Sequence, residues 1–181
     1  YHKVQKISPS GSQIWIMDIG QDVYSIAVDR ENDFLYVGTY SRIHKLDLLG
    51  NEIIKGRWPV SEDRRYRDID VDLDGNVYTG GDYDRLRKYD SEGIQQWTRG
   101  LGDEVFCVSV GPDGFSYMGG DTGHMKKVST TGSQIWFKDY GGDVWGMAAD
   151  SQGNVYTGGR SNYIRKLDQT GNQIWYRNFG S

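Results

Sequence analysis

The sequence predicts an all-β fold assembled from a four-stranded unit that recurs along the chain, and three observations predict it. The hexapeptide SGSQIW at 10–15 returns as TGSQIW at 131–136 and TGNQIW at 170–175. Twenty-five glycines stand against three prolines, the balance of a chain with many tight turns rather than a linker. No stretch carries an apolar 3.6-residue period bounded by capping residues, so no helix of useful length is expected.

The repeat sets the element boundaries. The glycine four residues before the tryptophan position recurs at Gly11, Gly50, Gly93, Gly132 and Gly171, at intervals of 39, 43, 39 and 39. Four residues on stand Trp15, Ile54, Trp97, Trp136 and Trp175, so Ile54 replaces tryptophan in one unit. Tyr36, Tyr78, Tyr117 and Tyr156 form a second column, each followed two residues later by Gly38, Gly80, Gly119 or Gly158. Lys6, Lys45, Lys88, Lys127 and Lys166 form another. In the last unit, DVWGMAAD (143–150), VYTGG (155–159), YIRKLD (163–168) and NQIWYRNF (172–179) read as strands. β-Branched and aromatic residues fill them, and Gly, Asn, Asp and Ser fill the turns between.

Four short strands in about 40 residues is the signature of a β-propeller blade. One four-stranded sheet cannot cover both of its faces, so blades must stack around an axis. Lettered A to D from the axis outward, the strands predict full blades at 21–59, 60–100, 101–139 and 140–181. Residues 1–20 supply strands C and D of a half blade. Strand A is expected innermost and apolar on both faces, with a column of small or polar residues at Ser25, Asp68, Cys107 and Gly146. The half blade leaves a gap to be closed within the chain, by a longer polypeptide, or by association between copies. The chain opens on Tyr1, which suggests processing or excision from an internal position. Association between copies is the expectation taken forward.

KLDQTGNQIW (166–175) resembles the tryptophan-docking repeat of PQQ-like β-propellers, and KYDSEGIQQW (88–97) and KVSTTGSQIW (127–136) are looser copies. GMAADSQGNVYTGG (146–159) and SIAVDRENDFLYVG (25–38) resemble the strand–turn–strand of bacterial β-propeller repeats in that superfamily. The resemblance implies a fold more than a function, since such propellers serve as dehydrogenases, scaffolds and binding domains. It implies that Trp15, Trp97, Trp136 and Trp175 dock one blade on the next. PQQ dehydrogenases are typically larger rings, many with adjacent cysteines, whereas this chain has the single Cys107; no quinone site carries over and no cofactor is expected.

The charge excludes one class of partner. Lys plus Arg is 21 against 25 for Asp plus Glu, a net charge of −4, which does not suit a nucleic-acid binder. No apolar run is long enough to span a membrane as a helix, so no membrane insertion is expected. DVDLDG (70–75) has the alternating acids of a calcium loop, but Gly81 stands where the twelfth-position glutamate would be, so a hairpin turn is expected there. His2, His44 and His124 fall at different offsets from the lysine column, so no metal site is expected. GGDTG (119–123) is a turn between strands B and C without the helix that a phosphate site needs. The lysines are expected to pair with acids of adjacent blades or to cap the rim.

One irregularity suggests a recognition site. Trp15 to Asp22, Trp97 to Glu104 and Trp136 to Asp143 each span seven residues, but Ile54 to Arg65 spans eleven. Four residues are therefore read as added within 56–68, in a D-to-A loop, and insertions in repeat arrays favour the binding face. Arg64, Arg65, Tyr66, Arg67 and Asp68 are the candidate recognition loop. The expected function is a non-catalytic binding or structural module for protein interaction or assembly, by a protein partner or self-association. The alternative is a lectin-like propeller that holds glycan on Tyr, Trp and Asp. An enzyme would need a carboxylate pair in the central funnel, where strand A offers only Asp68 and Asp70.

Overall fold

The computed structural model describes residues 2–53, 58, 65–82, 84–160 and 162–180. The fold is all-β, with consecutive strands joined as antiparallel meanders in five sheets among the described residues. The first sheet pairs β1 (Lys3–Ile7) with β2 (Gln13–Asp18), and the second holds β3 (Val23–Asp29), β4 (Phe34–Thr39) and β5 (Ile43–Asp47). The third contains β6 (Tyr66–Val71), β7 (Val77–Gly81), β8 (Arg85–Tyr89) and β9 (Gln95–Gly100). The fourth contains β10 (Val105–Val110), β11 (Ser116–Gly120), β12 (His124–Val128) and β13 (Gln134–Asp139). The fifth contains β14 (Val144–Ala149), β15 (Val155–Gly159), β16 (Tyr163–Leu167) and β17 (Gln173–Asn178). A 3-10 turn at Asp121–Gly123 joins β11 to β12.

Successive sheets bury their facing sides against one another, so the core is four apolar layers between them. Val4 of the first sheet meets Leu35, Val37 and Leu46 of the second. Tyr36 and Ile43 then meet Ile69, Val77 and Tyr89 of the third. Tyr78 and Leu86 meet Val108, Met118 and Val128 of the fourth, and Tyr117 and Met125 meet Val144, Val155 and Leu167 of the fifth. Burying one such side chain contributes roughly 1.5–3 kcal/mol, and each layer contains several. The β4, β7 and β11 glycines permit this approach. A Cβ on Gly80 would stand 2.5 Å from Val105 Cγ1, and one on Gly119 would stand 2.8 Å from Val144 Cγ1.

The first strands of the second to fifth sheets lie side by side, and polar side chains tie them together. Ser25 Oγ donates to the Tyr66 carbonyl at 2.9 Å, and the Ala149 N–H donates to Ser109 Oγ at 3.0 Å. The N–H groups of Val108 and Val110 donate to Asp68 Oδ2 and Asp70 Oδ2, both at 2.7 Å. Three of these bonds satisfy backbone N–H donors, and the Ser25 bond satisfies a backbone carbonyl. β3 departs from the expected burial on both faces: Ile26 and Val28 are each 49% exposed. The first sheet has two strands, too few to cover it, and an apolar groove lined by Val4, Ile26, Val28 and Leu35 remains there.

The tryptophan column needs one correction. The ring of Trp58 lies 3.0 Å from where a Cβ on Gly93 would stand, as Trp15 does on Gly50 and Trp136 on Gly171. Trp58 is 2% exposed and meets Tyr36 and Tyr89 edge-on. Trp58, not Ile54, therefore occupies the docking position of its unit, because an indole fills the flat space over a glycine turn that a branched aliphatic cannot. Glu52 bridges Leu46 in the register that Gln95 keeps with Tyr89. The four extra residues thus fall between Ile53 and Trp58, and Trp58 to Arg65 spans the usual seven. Ile54 itself lies outside the described residues.

The lysine column is also resolved. Lys6, Lys45 and Lys127 donate to the carbonyls of Leu48, Ser91 and Gln169 in the next sheet's turn. Acids of the same sheet face three of the lysines, Lys88–Asp72 at 3.6 Å, Lys127–Asp113 at 3.8 Å and Lys166–Asp150 at 3.5 Å, while Lys45 feels Glu92 of the next sheet as well as Asp29 of its own. The DVDLDG segment folds as a turn in which Asp72 accepts from the N–H groups of Asp74 and Asn76 and from the Tyr78 hydroxyl.

Candidate functional site

A repeated bulge builds a concave site. In β3, β6, β10 and β14 the pairing with the next strand skips one residue: Tyr24, Arg67, Phe106 and Trp145. A bulge leaves one residue unpaired and re-aims its side chain. Here the same bulge in four sheets turns these four side chains toward one mouth, a cavity of about 590 Å³ that Asp121, Asp143 and Arg160 complete. Trp145 is 56% exposed, so a large apolar ring stands open to solvent.

Charge around the mouth is alternating and partly paired. Arg67 Nε donates to Asp82 Oδ1 at 2.5 Å, its Nη2 reaches Glu104 Oε2 at 3.0 Å, and its guanidinium stacks 4.9 Å from the Phe106 ring centre. Arg65 Nε lies 3.7 Å from Asp82 Oδ2, and its guanidinium lies 5.8 Å from the Tyr24 ring centre. Arg160 is 4.0 Å from Asp143 and largely exposed, a cation held loosely at the rim. Cation–ring contacts of this kind contribute about 0.5–1 kcal/mol when exposed, enough to orient both partners before a ligand arrives.

The candidate recognition loop is divided by the structure. Arg67 lines the mouth and Arg65 flanks it. Tyr66 is 6% exposed and belongs to the core between the second and third sheets, so it offers a ligand nothing. Asp68 points to the fourth sheet, where it accepts the Val108 N–H. Arg64 lies outside the described residues. The loop's contribution to the mouth comes from the bulge at Arg67, not from an insertion, since the extra residues lie before Trp58. The bulge column was present in the sequence as Tyr24, Arg67, Phe106 and Trp145 at matching repeat positions, but their differing chemistry concealed it. Trp15, Trp97 and Trp136 dock on the next sheet, whereas among the described residues Gly158 and Trp175 meet no further sheet.

Asp68 and Asp70 are bound to backbone amides and half-buried, an arrangement that suits joining sheets. Burial pushes the Asp68 carboxyl up to about 6, against the opposing pull of the Val108 and Ile69 amides, and burial raises Asp70 as well. The folded state therefore holds the Asp68 proton more tightly than the unfolded chain does. Its stabilising contribution is full below pH 4 and is lost as pH rises through about 6. Asp68→Asn, which keeps an oxygen for the Val108 amide, is expected to flatten this part of the stability profile. Urea midpoints at pH 4.5 and 7.0 check it, and an unchanged slope in the variant rules it out.

Comparison with known proteins adds an architecture. No family model and no curated protein matches the chain. Among solved structures, it is similar to a protein of unknown function from Bacteroides caccae, with a TM-score of 0.74 and 13% identity, over 99% of this chain and 70% of that one. The likeness is one of fold. Among the described residues no helix is long and apolar enough to cross a membrane, and no group of three or more His, Cys, Asp or Glu is arranged to hold a metal.

Proposed function

We propose that the chain is a non-catalytic β-propeller-type recognition module of tryptophan-docking repeats, and that it seats a protein segment at the mouth formed by Tyr24, Arg67, Phe106 and Trp145. The observation that carries this reading is the bulge shared by four sheets, which turns four unlike side chains to one point. Tryptophan, tyrosine and arginine are the residues most enriched at protein-interface hot spots. Arg67 is held in place by Asp82 and Glu104, so little ordering cost falls on binding. Catalysis is left out of the reading because the strand-borne carboxylates Asp68 and Asp70 are engaged by backbone amides.

A glycan is the second reading, favoured by the open Trp145 ring beside the carboxylates of Asp121 and Asp143, which could accept sugar hydroxyls. Screening a displayed peptide library and a glycan array with the same protein separates the two. Binders of the mouth are expected to lose about tenfold or more in affinity with Trp145→Ala, while the melting temperature stays near that of the parent chain. Binders unaffected by Trp145→Ala and by Phe106→Ala would place recognition elsewhere.

A further inference from the structure

We propose that copies of this chain join head to tail, the outer face of the fifth sheet receiving the first sheet of a second copy, with Trp175 seated on Gly11 and its indole N–H donated to the Pro9 carbonyl. The inference rests on how the sheets stack and not on what the mouth binds.

The internal seams define the geometry. Trp15, Trp58, Trp97 and Trp136 lie over Gly50, Gly93, Gly132 and Gly171, each ring 2.9–3.0 Å from where a Cβ would stand. Trp15, Trp97 and Trp136 donate their indole N–H to the carbonyl two residues before that glycine, those of Leu48, Thr130 and Gln169, each at 3.0 Å. One tryptophan and one glycine turn remain. Gly11 has φ +84°, within the +79° to +89° of the four occupied turns, and the space where its Cβ would stand has no atom within 4 Å. Its N–H closes the same turn on Ser8, at 2.9 Å. Trp175 meets Tyr156 edge-on at 6.1 Å and 62°, as Trp97 meets Tyr78 at 5.9 Å and 67°. Its ring is therefore already held as a docking ring is held, and its indole N–H has no acceptor among the described residues.

The flanking columns agree. Ile164 is 40% exposed, while its counterparts Ile43, Leu86 and Met125 are buried. On the first sheet Ile7 is 52% exposed, while its counterparts Leu46, Tyr89, Val128 and Leu167 are buried. The surface with the matching empty turn is the chain's own first sheet, which is why a second copy is the occupant. The contact is heterologous, knob on one end and turn on the other, so copies add in one direction rather than pairing face to face. A two-stranded sheet cannot reach Gly158, where an added Cβ would meet nothing closer than 3.8 Å. The seam between copies is thus shorter, and weaker, than those within the chain.

Sedimentation equilibrium of the 181-residue chain tests this. The weight-average mass is expected to rise with concentration. Trp175→Ala removes the knob, and Gly11→Asn fills the turn with a residue that tolerates positive φ. Each alone is expected to weaken association by about tenfold or more with unchanged thermal melts, while Trp145→Ala associates as the parent does. Mixing the two variants restores one intact seam per pair, so a 1:1 dimer forms and grows no further. A parent chain that stays monomeric across the concentration range, variants that associate like the parent, or a mixture that gives no such dimer would each overturn the proposal.

Discussion

Trp58→Ala is expected to destabilise the fold by about 3–5 kcal/mol, the range for deleting a buried aromatic. Trp58 is fully packed between the second and third sheets, over Gly93 and edge-on to Tyr36 and Tyr89. Removing the indole opens a cavity that cannot collapse, because stiff strands and a glycine turn line it. The loss should appear as a lower urea midpoint, with the mouth unaltered in shape because it is built from other residues. Leu73→Ala is the control: Leu73 is exposed, and its removal should change stability by no more than about 0.5 kcal/mol. Equal midpoints for the two variants would mean that Trp58 does not dock its sheet.

Gly80→Ala and Gly158→Ala should behave oppositely although they are the same substitution in the same column. At Gly80 the new methyl would stand 2.5 Å from Val105 Cγ1 and 2.9 Å from Val108 Cγ2. Both valines are buried on the facing sheet, so the sheets must separate, at a cost of about 1–3 kcal/mol. At Gly158 the nearest atom is 3.8 Å away, an ordinary contact. There the alanine restricts the unfolded chain and should be neutral or stabilise by up to about 1 kcal/mol. Paired thermal melts read the difference directly. If both variants lost the same stability, the glycine column would be serving strand conformation and not sheet-to-sheet approach.

The strand boundaries of the last unit were legible almost to the residue. VYTGG at 155–159 is β15, and YIRKLD at 163–168 contains β16. Turn glycines and alternating β-formers are local signals, and they needed no tertiary information. The docking tryptophan of the second unit was not legible by counting, because Ile54 stood at the expected spacing and the true occupant lay four residues on. Only the geometry of the Gly93 turn distinguishes an indole from an isoleucine. Adjacent residues of the candidate patch diverge: Arg67 reaches the mouth through a bulge, while Tyr66 beside it turns into the core.

The sequence by itself determined that this is an all-β chain of recurring strand–turn units, and where each unit's tryptophan, tyrosine and glycine fall. Those properties follow from residue preference and spacing along the backbone. The tertiary structure alone decided which residues share a mouth and which seams are filled, and among the described residues no ring lies over the Gly11 turn. The physical reason is that a bulge reverses the side to which a residue points, and a docking turn is occupied only if another sheet comes within reach.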